Sequence, residues 1–154
     1  MSVMTTAGTT IGISASTPAT FDAAGFEALT FTTIGEVASI DGDIGRIYEL
    51  VTWNSLAARG TVKRKGTYNS GSMTVPVAID RDDAGQTLAL AARDSDDVHS
   101  FVITLQDGTE LYFTGIVMGF PINAGGANAI TQGVITVEIT SDDEGNDFVE
   151  VAAA

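Results

Sequence analysis

One histidine and several serines are the side chains best suited to nucleophilic or metal chemistry. His99 has no second histidine and no cysteine to work with anywhere in the 154 residues. A zinc site or a histidine-based nucleophilic triad therefore lacks its remaining members. Ser14, Ser16 and the N-terminal threonines have no base beside them in the sequence. We interpret His99 as a residue at the surface or at the edge of a strand.

Carboxylates are the other candidate for chemistry, because they occur in adjacent pairs at Asp82-Asp83, Asp96-Asp97 and Asp142-Asp143. Adjacent residues point to opposite faces of a strand and diverge on a helix, so such pairs seldom share a site. Asp41-Gly42-Asp43 and residues 142–147 do not match the D-x-[DN]-x-[DN]-G calcium loop, and no glycine-rich phosphate-binding motif occurs. The sequence therefore predicts that the protein is not an enzyme and uses no cofactor and no metal.

Charge narrows the possible partners. Twenty acidic residues against seven basic ones give a net charge of −13, which argues against tight binding to nucleic acid. Lys63-Arg64-Lys65 forms the one basic cluster, which is typical of a solvated strand or loop. The hydrophobic fraction of 44% supports one folded domain. Neither a signal-peptide pattern nor an apolar run of ~20 residues occurs, so we expect a soluble protein without a membrane partner.

The elements that position these residues are clearest between Thr67 and Asp94. A period of two predicts a half-buried strand, with Pro76 marking an edge. The apolar residues of this strand are Met73, Val75, Val77 and Ile79. Asp80 is predicted to cap a helix, with Asp83 as the second member of a capping box. The helix is expected from about Arg81 to Ala92.

Further strands follow this helix. Residues 100–105 and 109–117 predict a hairpin in which a three-residue loop, with Gly108 in the left-handed conformation, pairs Leu105 with Thr109. Residues 129–140 predict the last strand, with Ile135, Val137 and Ile139 facing inward. The fold class expected is mainly β: an antiparallel β-sandwich or barrel of about six to eight strands with one flanking α-helix, spanning residues 25–141.

Three segments lie outside this regular pattern. Residues 1–24 predict a flexible N-terminal arm, either disordered or docked on a neighbouring subunit. Residues 41–68 predict a long insertion loop, whose strand-like part from Arg46 to Trp53 is apolar on both faces and so is suited to being covered by another subunit. Residues 142–154 predict an acidic C-terminal tail.

A series of short motifs lies between Phe26 and Ser141. They are Gly35-Glu36-Val37, Lys65-Gly66, Gly71, Asp83-Ala84-Gly85-Gln86-Thr87-Leu88 with Ala91-Ala92, Phe101, Asp107-Gly108 and Phe113-Thr114-Gly115. In this order and spacing the sequence resembles the tail tube (major tail) proteins of long-tailed, non-contractile bacteriophages.

The resemblance implies a virion protein made in the host cytoplasm. Its subunits would form hexameric rings, and the rings would stack into a tube that meets other tail proteins at its ends and passes DNA without binding it specifically. The arm and the insertion would contact neighbouring subunits. The expected contact residues are Ile11, Ile13, Phe21, Arg46, Tyr48, Trp53, Arg59, Lys63, Arg64 and Lys65. Glu49, Glu110 and Glu138 are expected to line an acidic lumen that repels DNA.

Two other functions fit the same observations. A β-sandwich binding module, such as a capsid decoration protein or an adhesin, would be a compact monomer or trimer. A secretion-system tube subunit would share the ring-forming architecture.

Overall fold

The computed structural model describes residues 3–153, so the first two residues of the expected arm and the last residue of the expected tail lie outside the described residues. Within this range the chain forms nine strands and two helices. The strands are β1 (Thr10–Ser14), β2 (Thr32–Thr33), β3 (Ile44–Asn54), β4 (Thr61–Ala78), β5 (His99–Thr104), β6 (Glu110–Gly119), β7 (Ile122–Asn123), β8 (Gln132–Ile139) and β9 (Phe148–Val151). The helices are α1 (Ala23–Glu27) and α2 (Ala84–Arg93).

Every pairing between these strands is antiparallel. The sheet order is β2-β1-β5-β6-β8-β4-β3, with β7 beside β8 and β9 beside β6. Helix α2 packs against β1, β2 and β6. The expected class, mainly β with a flanking helix, is confirmed, although a second short helix and two very short strands escaped the sequence analysis.

The chain between β2 and β3 links the two sides of the sheet. At one end the Ile34 N–H donates to the Ile11 carbonyl in β1 at 2.9 Å. At the other end Asp41 and Thr74 of β4 exchange two backbone hydrogen bonds of 2.8 and 2.9 Å. Because β1 and β4 are also joined through β5, β6 and β8, this link closes the sheet in the manner of a barrel. Pro76 lies beside this irregular link, and its carbonyl accepts a hydrogen bond from the Ala38 N–H at 2.9 Å. Since the link forms no regular ladder, the N–H that proline lacks is not needed there.

Strict alternation along the strands builds the core inside this barrel. Phe101 and Phe113 face each other in the β5–β6 register, and their stacked rings lie 5.5 Å apart. Ala89 and Ala92 of α2 pack against the same cluster. The other buried strand residues are Ile11, Ile13, Met73, Val75, Val77, Ile103, Val117, Ile135, Val137 and Ile139. Each fully buried aliphatic or aromatic side chain contributes about 1.5–3 kcal/mol, so this face dominates the stability.

The β5–β6 connection has the predicted register. The Leu105 N–H donates to the Thr109 carbonyl at 2.8 Å, and the Gly108 N–H donates to the Leu105 carbonyl at 3.0 Å. Gly108 has a φ of 91°, in the left-handed region that glycine adopts without strain. The three-residue loop is confirmed, because it is the loop length that keeps the apolar residues of both strands on the core side.

Helix α2 begins three residues later than expected. Its N-cap is Asp83, whose Oδ2 accepts from the Gln86 N–H at 2.9 Å and from the Gly35 N–H at 3.1 Å. Asp80, the expected N-cap, closes a turn by accepting from the Asp82 N–H at 3.0 Å. The tertiary bond to Gly35 favours Asp83 over Asp80 as the cap. Asp83 and Gln86 also hold the first and last places of a capping box, a signal that the sequence analysis placed three residues too early.

The expected N-terminal arm is corrected by the structure. β1 pairs with β5 along its whole length, which places Ile11 opposite Ile103 and Ile13 opposite Phe101. Ile11 and Ile13 are 1% and 0% exposed, so they fill the core of their own chain and cannot dock on a neighbour in this conformation. The two isoleucines are spaced at i and i+2, as in a strand, but the surrounding Thr, Ser and Gly residues make this pattern too weak to predict a strand.

The end of the expected arm leads into α1, which packs against the sheet through Phe26. Asp22 caps α1 by accepting from the Gly25 N–H at 2.7 Å. Phe26 of α1 is fully buried and stacks on Tyr112 at 5.1 Å between ring centroids, while Phe21 meets the Phe26 ring edge-on at 5.0 Å. The expected acidic tail needs the same correction, because β9 pairs with β6 and ties the C-terminal segment into the sheet. Residues 10–151 therefore share one hydrogen-bonded body.

Candidate assembly surfaces

The expected insertion loop 41–68 is a β-hairpin rather than a loop. β3 pairs with the first half of β4, from Ile47 opposite Asn69 to Asn54 opposite Thr61, and residues 55–60 form the tip. We call residues 44–71 the hairpin and its end at Arg46 and Ser70 the root. Residues 46–53 have apolar side chains on both faces of the strand. Such residues favour β structure, so strand pairing continues beyond the core and no loop forms here.

Both faces of the hairpin carry exposed apolar side chains. Trp53 is 70% exposed and Leu50, on the opposite face, is 66% exposed. By alternation and register, Trp53 shares its face with Ile47, Val51 and Val62, and Leu50 shares its face with Tyr48. Exposed apolar surface of this extent on a folded chain marks an interaction site. The expectation of a strand with two apolar faces thus corresponds to what the structure shows.

The basic cluster lies on the same hairpin. Lys63 and Lys65 are exposed on the Leu50 face, and Arg64 is exposed on the Trp53 face. The Lys65 Nζ lies 4.9 Å from the centroid of the Tyr48 ring. Ion pairs among residues 3–153 occur between Arg46 and Asp147 and between Arg93 and Asp94, so none involves these three cations. Arg59 is exposed at the tip. Seven of the ten expected contact residues, Arg46 included, therefore lie on the hairpin.

The root of the hairpin is held by an intrachain cluster. The Arg46 Nε lies 3.1 Å from both carboxylate oxygens of Asp147, and the Ser70 hydroxyl donates to Asp147 at 2.6 Å. The Arg46 Nη2 and the Tyr68 hydroxyl both donate to the Gly145 carbonyl. The side chain of Asp147 is 2% exposed and that of Arg46 is 43% exposed. We call Arg46, Tyr68, Ser70, Gly145 and Asp147 the root cluster.

Arg46 was expected to contact another subunit; the structure gives it a partner within its own chain, and a contact with a second subunit stays a prediction. Its guanidinium binds Asp147 and lies 4.3 Å from the centre of the Tyr68 ring. The Tyr48 hydroxyl and then the Asp147 carboxylate raise the pKa of Arg46, so it stays charged. Asp147 lies 101 positions along the chain from Arg46. Sequence alone has no signal that would join two such residues.

The three expected lumen residues differ in their surroundings. Glu110 and Glu138 share one face of the sheet, because Glu138 pairs with Ile116 and Ile116 alternates with Glu110 along β6. Glu138 is exposed, whereas Glu110 is partly buried and accepts a hydrogen bond from the Tyr112 hydroxyl. Burial, followed by this hydrogen bond, raises the pKa of Tyr112. Glu49 is exposed on the hairpin, away from that face. The structure therefore places Glu110 and Glu138 on one face, and of these two only Glu138 is fully exposed to solvent.

An open groove of about 610 Å³ lies beside the root cluster. Residues 17–21 form one wall and residues 140–146 form the other. Apolar lining comes from Pro18, Ala19, Phe21 and Val98. Asp142, Asp143 and Glu144 form an acidic rim. Phe21, an expected contact residue, is partly exposed here, and sequence reasoning had no means of finding the rest of the groove.

His99 is buried at the start of β5, with its Nδ1 3.0 Å from the Asp97 carbonyl oxygen, so its interpretation as a surface residue is wrong. Among residues 3–153 no group of three or more His, Cys, Asp or Glu side chains is placed to hold a metal ion. In the same part of the chain, no helix has the length and apolar character to cross a membrane.

In fold, the antiparallel sheet with its flanking helix is similar to solved structures from phage tails and contractile injection systems. A sheath/tube terminator of the PVC extracellular contractile injection system superposes with a TM-score of 0.68 at 10% identity, covering 99% of each chain. The SPP1 tail tube protein gives a TM-score of 0.63 at 12% identity, covering 94% of this chain and 77% of that one. A chain from the virion of a gene transfer agent gives 0.62 at 14% identity, covering 92% and 95%.

At these identities the likeness is one of fold. It confirms the expected resemblance to tail tube proteins at that level. No family model matches the sequence. No curated protein matches it either.

Proposed function

We propose that this chain is a structural tail protein that assembles with its own copies into hexameric rings, which stack into a tube for the passage of DNA. The observation that carries the proposal is the hairpin, which is apolar on both faces and exposed on both. The fold shared with phage and injection-system tube proteins supports the same function.

Energetics favour association through the hairpin. Burying the part of Ile47, Leu50, Val51 and Trp53 that is still exposed, 51–70% of each residue, would contribute about 0.8–2 kcal/mol for each side chain. Association costs an estimated 4–15 kcal/mol in lost translational and rotational freedom. A single hairpin contact is thus close to balance. A closed ring in which each copy both donates and accepts a hairpin makes two contacts per subunit, which favours assembly over isolated pairs.

The edge of the sheet supports association through a second kind of contact. β3 is the outermost strand in the sheet order, so one side of its eleven residues has no ladder partner among residues 3–153. Long exposed edges pair readily with other strands. In a ring, the neighbouring copy would supply that partner.

For the lumen, we propose the face of β4, β6 and β8 that carries Glu138. Its neighbours on this face include Thr74 and Thr136, whereas α1 covers the other end of the same face of β6, where Phe26 stacks on Tyr112. DNA carries one negative charge per ~1.7 Å of duplex, so carboxylates on this wall would repel it and prevent specific binding. The net charge of −13 favours the same result over a Debye length of ~8 Å. Other tail proteins would cover the ends of the tube.

Electron microscopy and sedimentation of the full chain test the proposal. We expect rings or tubes of the wild-type protein. A variant with Val51→Ser and Trp53→Ser should remain folded but monomeric. Met118→Ser is the matched control, because Met118 is 61% exposed on the barrel and should not affect assembly. A wild-type chain that stays monomeric at every salt and protein concentration would exclude self-assembly, and tubes formed by the serine variant would exclude the Trp53 face of the hairpin as a contact.

A tube terminator is the second candidate function. The fold match to a sheath/tube terminator covers 99% of both chains, which supports this alternative. A terminator would form closed rings that do not stack by themselves. The same micrographs therefore distinguish the two functions.

A further inference from the structure

We propose that the groove between residues 17–21 and 140–146 is the acceptor for the Leu50 face of the hairpin from a second copy of the chain. This proposal rests on the proposed self-assembly and names the surface on which the hairpin docks. Leu50 would enter the apolar lining, and Lys63 and Lys65 would meet the acidic rim. The volume of about 610 Å³ falls in the range of ~300–1,000 Å³ that is usual for protein binding clefts.

The charges on the two surfaces are opposite in sign, and the residues that carry them form no ion pair within residues 3–153. Asp143 and Glu144 are exposed on the rim, and within the described chain their carboxylates make neither an ion pair nor a hydrogen bond. Asp142 differs, because its two oxygens hold the loop together by accepting from Glu144 and Asn146. Lys63 and Lys65 are likewise exposed and have no carboxylate partner among residues 3–153. Complementary patches of this kind set the register of an interface and speed association.

The apolar parts also match. Leu50 lies directly opposite Lys65 in the hairpin register, and Thr52 lies opposite Lys63. One face therefore presents a leucine beside two ammonium groups. The groove presents the reverse arrangement, with Ala19, Phe21 and Val98 below and carboxylates at the rim. A single approach would satisfy both the apolar and the charged residues.

The geometry requires that the hairpin come from another copy. The root cluster ties the base of the hairpin to Gly145 and Asp147, next to the groove of the same chain. Lys63 is six residues from Asn69 along an extended strand, which is on the order of 20 Å at ~3.3 Å per residue. The exposure of Leu50 and Trp53 shows that the hairpin does not fold back over its own body. Its outer part can fill a groove only in a neighbour.

Charge reversal tests the docking. The hairpin variant carries Lys63→Glu and Lys65→Glu, and the groove variant carries Asp143→Lys and Glu144→Lys. Each alone should raise the concentration needed for assembly by at least tenfold, because like charges then face each other. An equimolar mixture of the two should recover much of the wild-type assembly, since one interface of opposite charge is restored. A control with Asp82→Lys and Glu150→Lys makes the same net change outside the groove and should assemble as the wild type does.

Cysteine cross-linking gives a second measurement, because the natural chain has no cysteine. A chain with Leu50→Cys and Ala19→Cys should form a ladder of disulfide-linked multimers under oxidation. Either single variant should form dimers at most. A groove variant that assembles normally while the hairpin variant fails, or a double-cysteine chain without a ladder, would overturn the docking site and leave self-assembly intact. A wild-type chain that never assembles would remove both proposals.

Discussion

The barrel and the hairpin use the same sequence period for opposite purposes. In the barrel, alternation sends one set of side chains to a dry core, where Phe101, Phe113 and Ile13 are 0% exposed. In the hairpin, alternation continues along the same β4 strand, but both sets of side chains remain in water. In both regions β4 is hydrogen-bonded to a neighbouring strand, whereas side-chain burial is complete only in the barrel. A strand can therefore be satisfied locally while its side chains await a partner.

The boundary between the two regions is sharp. Gly71, with a φ of 93°, interrupts the regular alternation of β4 at the root, and the root cluster fixes the hairpin beside the C-terminal segment. If the two regions are distinct in this way, substitutions in the barrel should lower stability, and substitutions in the hairpin should weaken assembly.

The largest effect on stability is expected in the barrel core. Phe101→Ala should reduce the free energy of unfolding by about 3–5 kcal/mol, because it removes a fully buried ring that stacks on Phe113. Trp53→Ala in the hairpin should change it by no more than ~0.5 kcal/mol, because Trp53 is already in water. Denaturant unfolding of monomeric protein at low concentration measures both. Equal losses in the two variants would contradict the separation of the regions.

The next effect is expected at the root, from Gly71→Ala. A Cβ at this position would lie 2.0 Å from the Asp43 carbonyl oxygen, and the positive φ adds strain. We expect a loss of about 2–3 kcal/mol in the free energy of unfolding. Gly60→Ala is the matched control, because Gly60 lies at the tip and a Cβ there meets nothing within 4 Å. If both variants unfold at the same denaturant concentration, the root is not a rigid boundary.

The sequence predicts the barrel better than the hairpin or the groove. Alternation over Met73–Val77, the three-residue loop at Gly108 and the inward face of β8 follow from local pattern, because one buried side of each strand specifies its register. The pairing of β1 was missed because five residues among Thr, Ser and Gly carry a weak local signal. Their stability comes from β5, which lies some ninety positions away.

The candidate sites depend even more on distant contacts. The two apolar faces of residues 46–53 and the basic cluster were visible in the sequence, and the structure places them on one exposed element. The intrachain partner of Arg46 could not be predicted, because Asp147 becomes its neighbour only when β9 pairs with β6. The groove was not visible at all, since its two walls come from residues 17–21 and 140–146. The local periodicity of the sequence does not show which distant segments come into contact in the fold.

Removing the buried member of the root cluster should have an intermediate effect. Asp147→Ala leaves the Ser70 hydroxyl without its buried acceptor, while the partly exposed Arg46 regains water. We expect a loss of about 1–2 kcal/mol and faster hydrogen exchange in the hairpin. Arg93→Ala is the control, because the exposed Arg93–Asp94 pair should contribute at most ~0.5 kcal/mol. Unchanged exchange rates in the hairpin would show that the cluster does not position it.

The smallest effect concerns the loop that forms one wall of the groove. The Asn146 side chain donates to the Asp142 carboxylate at 3.0 Å, and the Asn146 N–H donates to it at 2.8 Å. These bonds lower the pKa of Asp142 below its ordinary value of 3.8, the side-chain bond having the larger effect. A lowered pKa in the folded chain means that the stabilisation is complete above pH 3.8 and is lost as the pH falls through the folded pKa.

Asn146→Ala should therefore raise the pKa of Asp142 towards 3.8, as measured by NMR titration of its carboxyl carbon. Asp22 is the internal control. Its pKa is lowered by Gly25 and Thr20, and the substitution should not move it. Since Asn146→Ala leaves the Asp143 and Glu144 carboxylates in place, a weakened assembly in this variant at pH 7 would mean that the shape of the wall matters as well as its charge. An unchanged Asp142 titration would show that the Asn146 side chain does not hold the loop, and the backbone bonds from Glu144 and Gly145 to Asp142 would then be the ones that shape this wall.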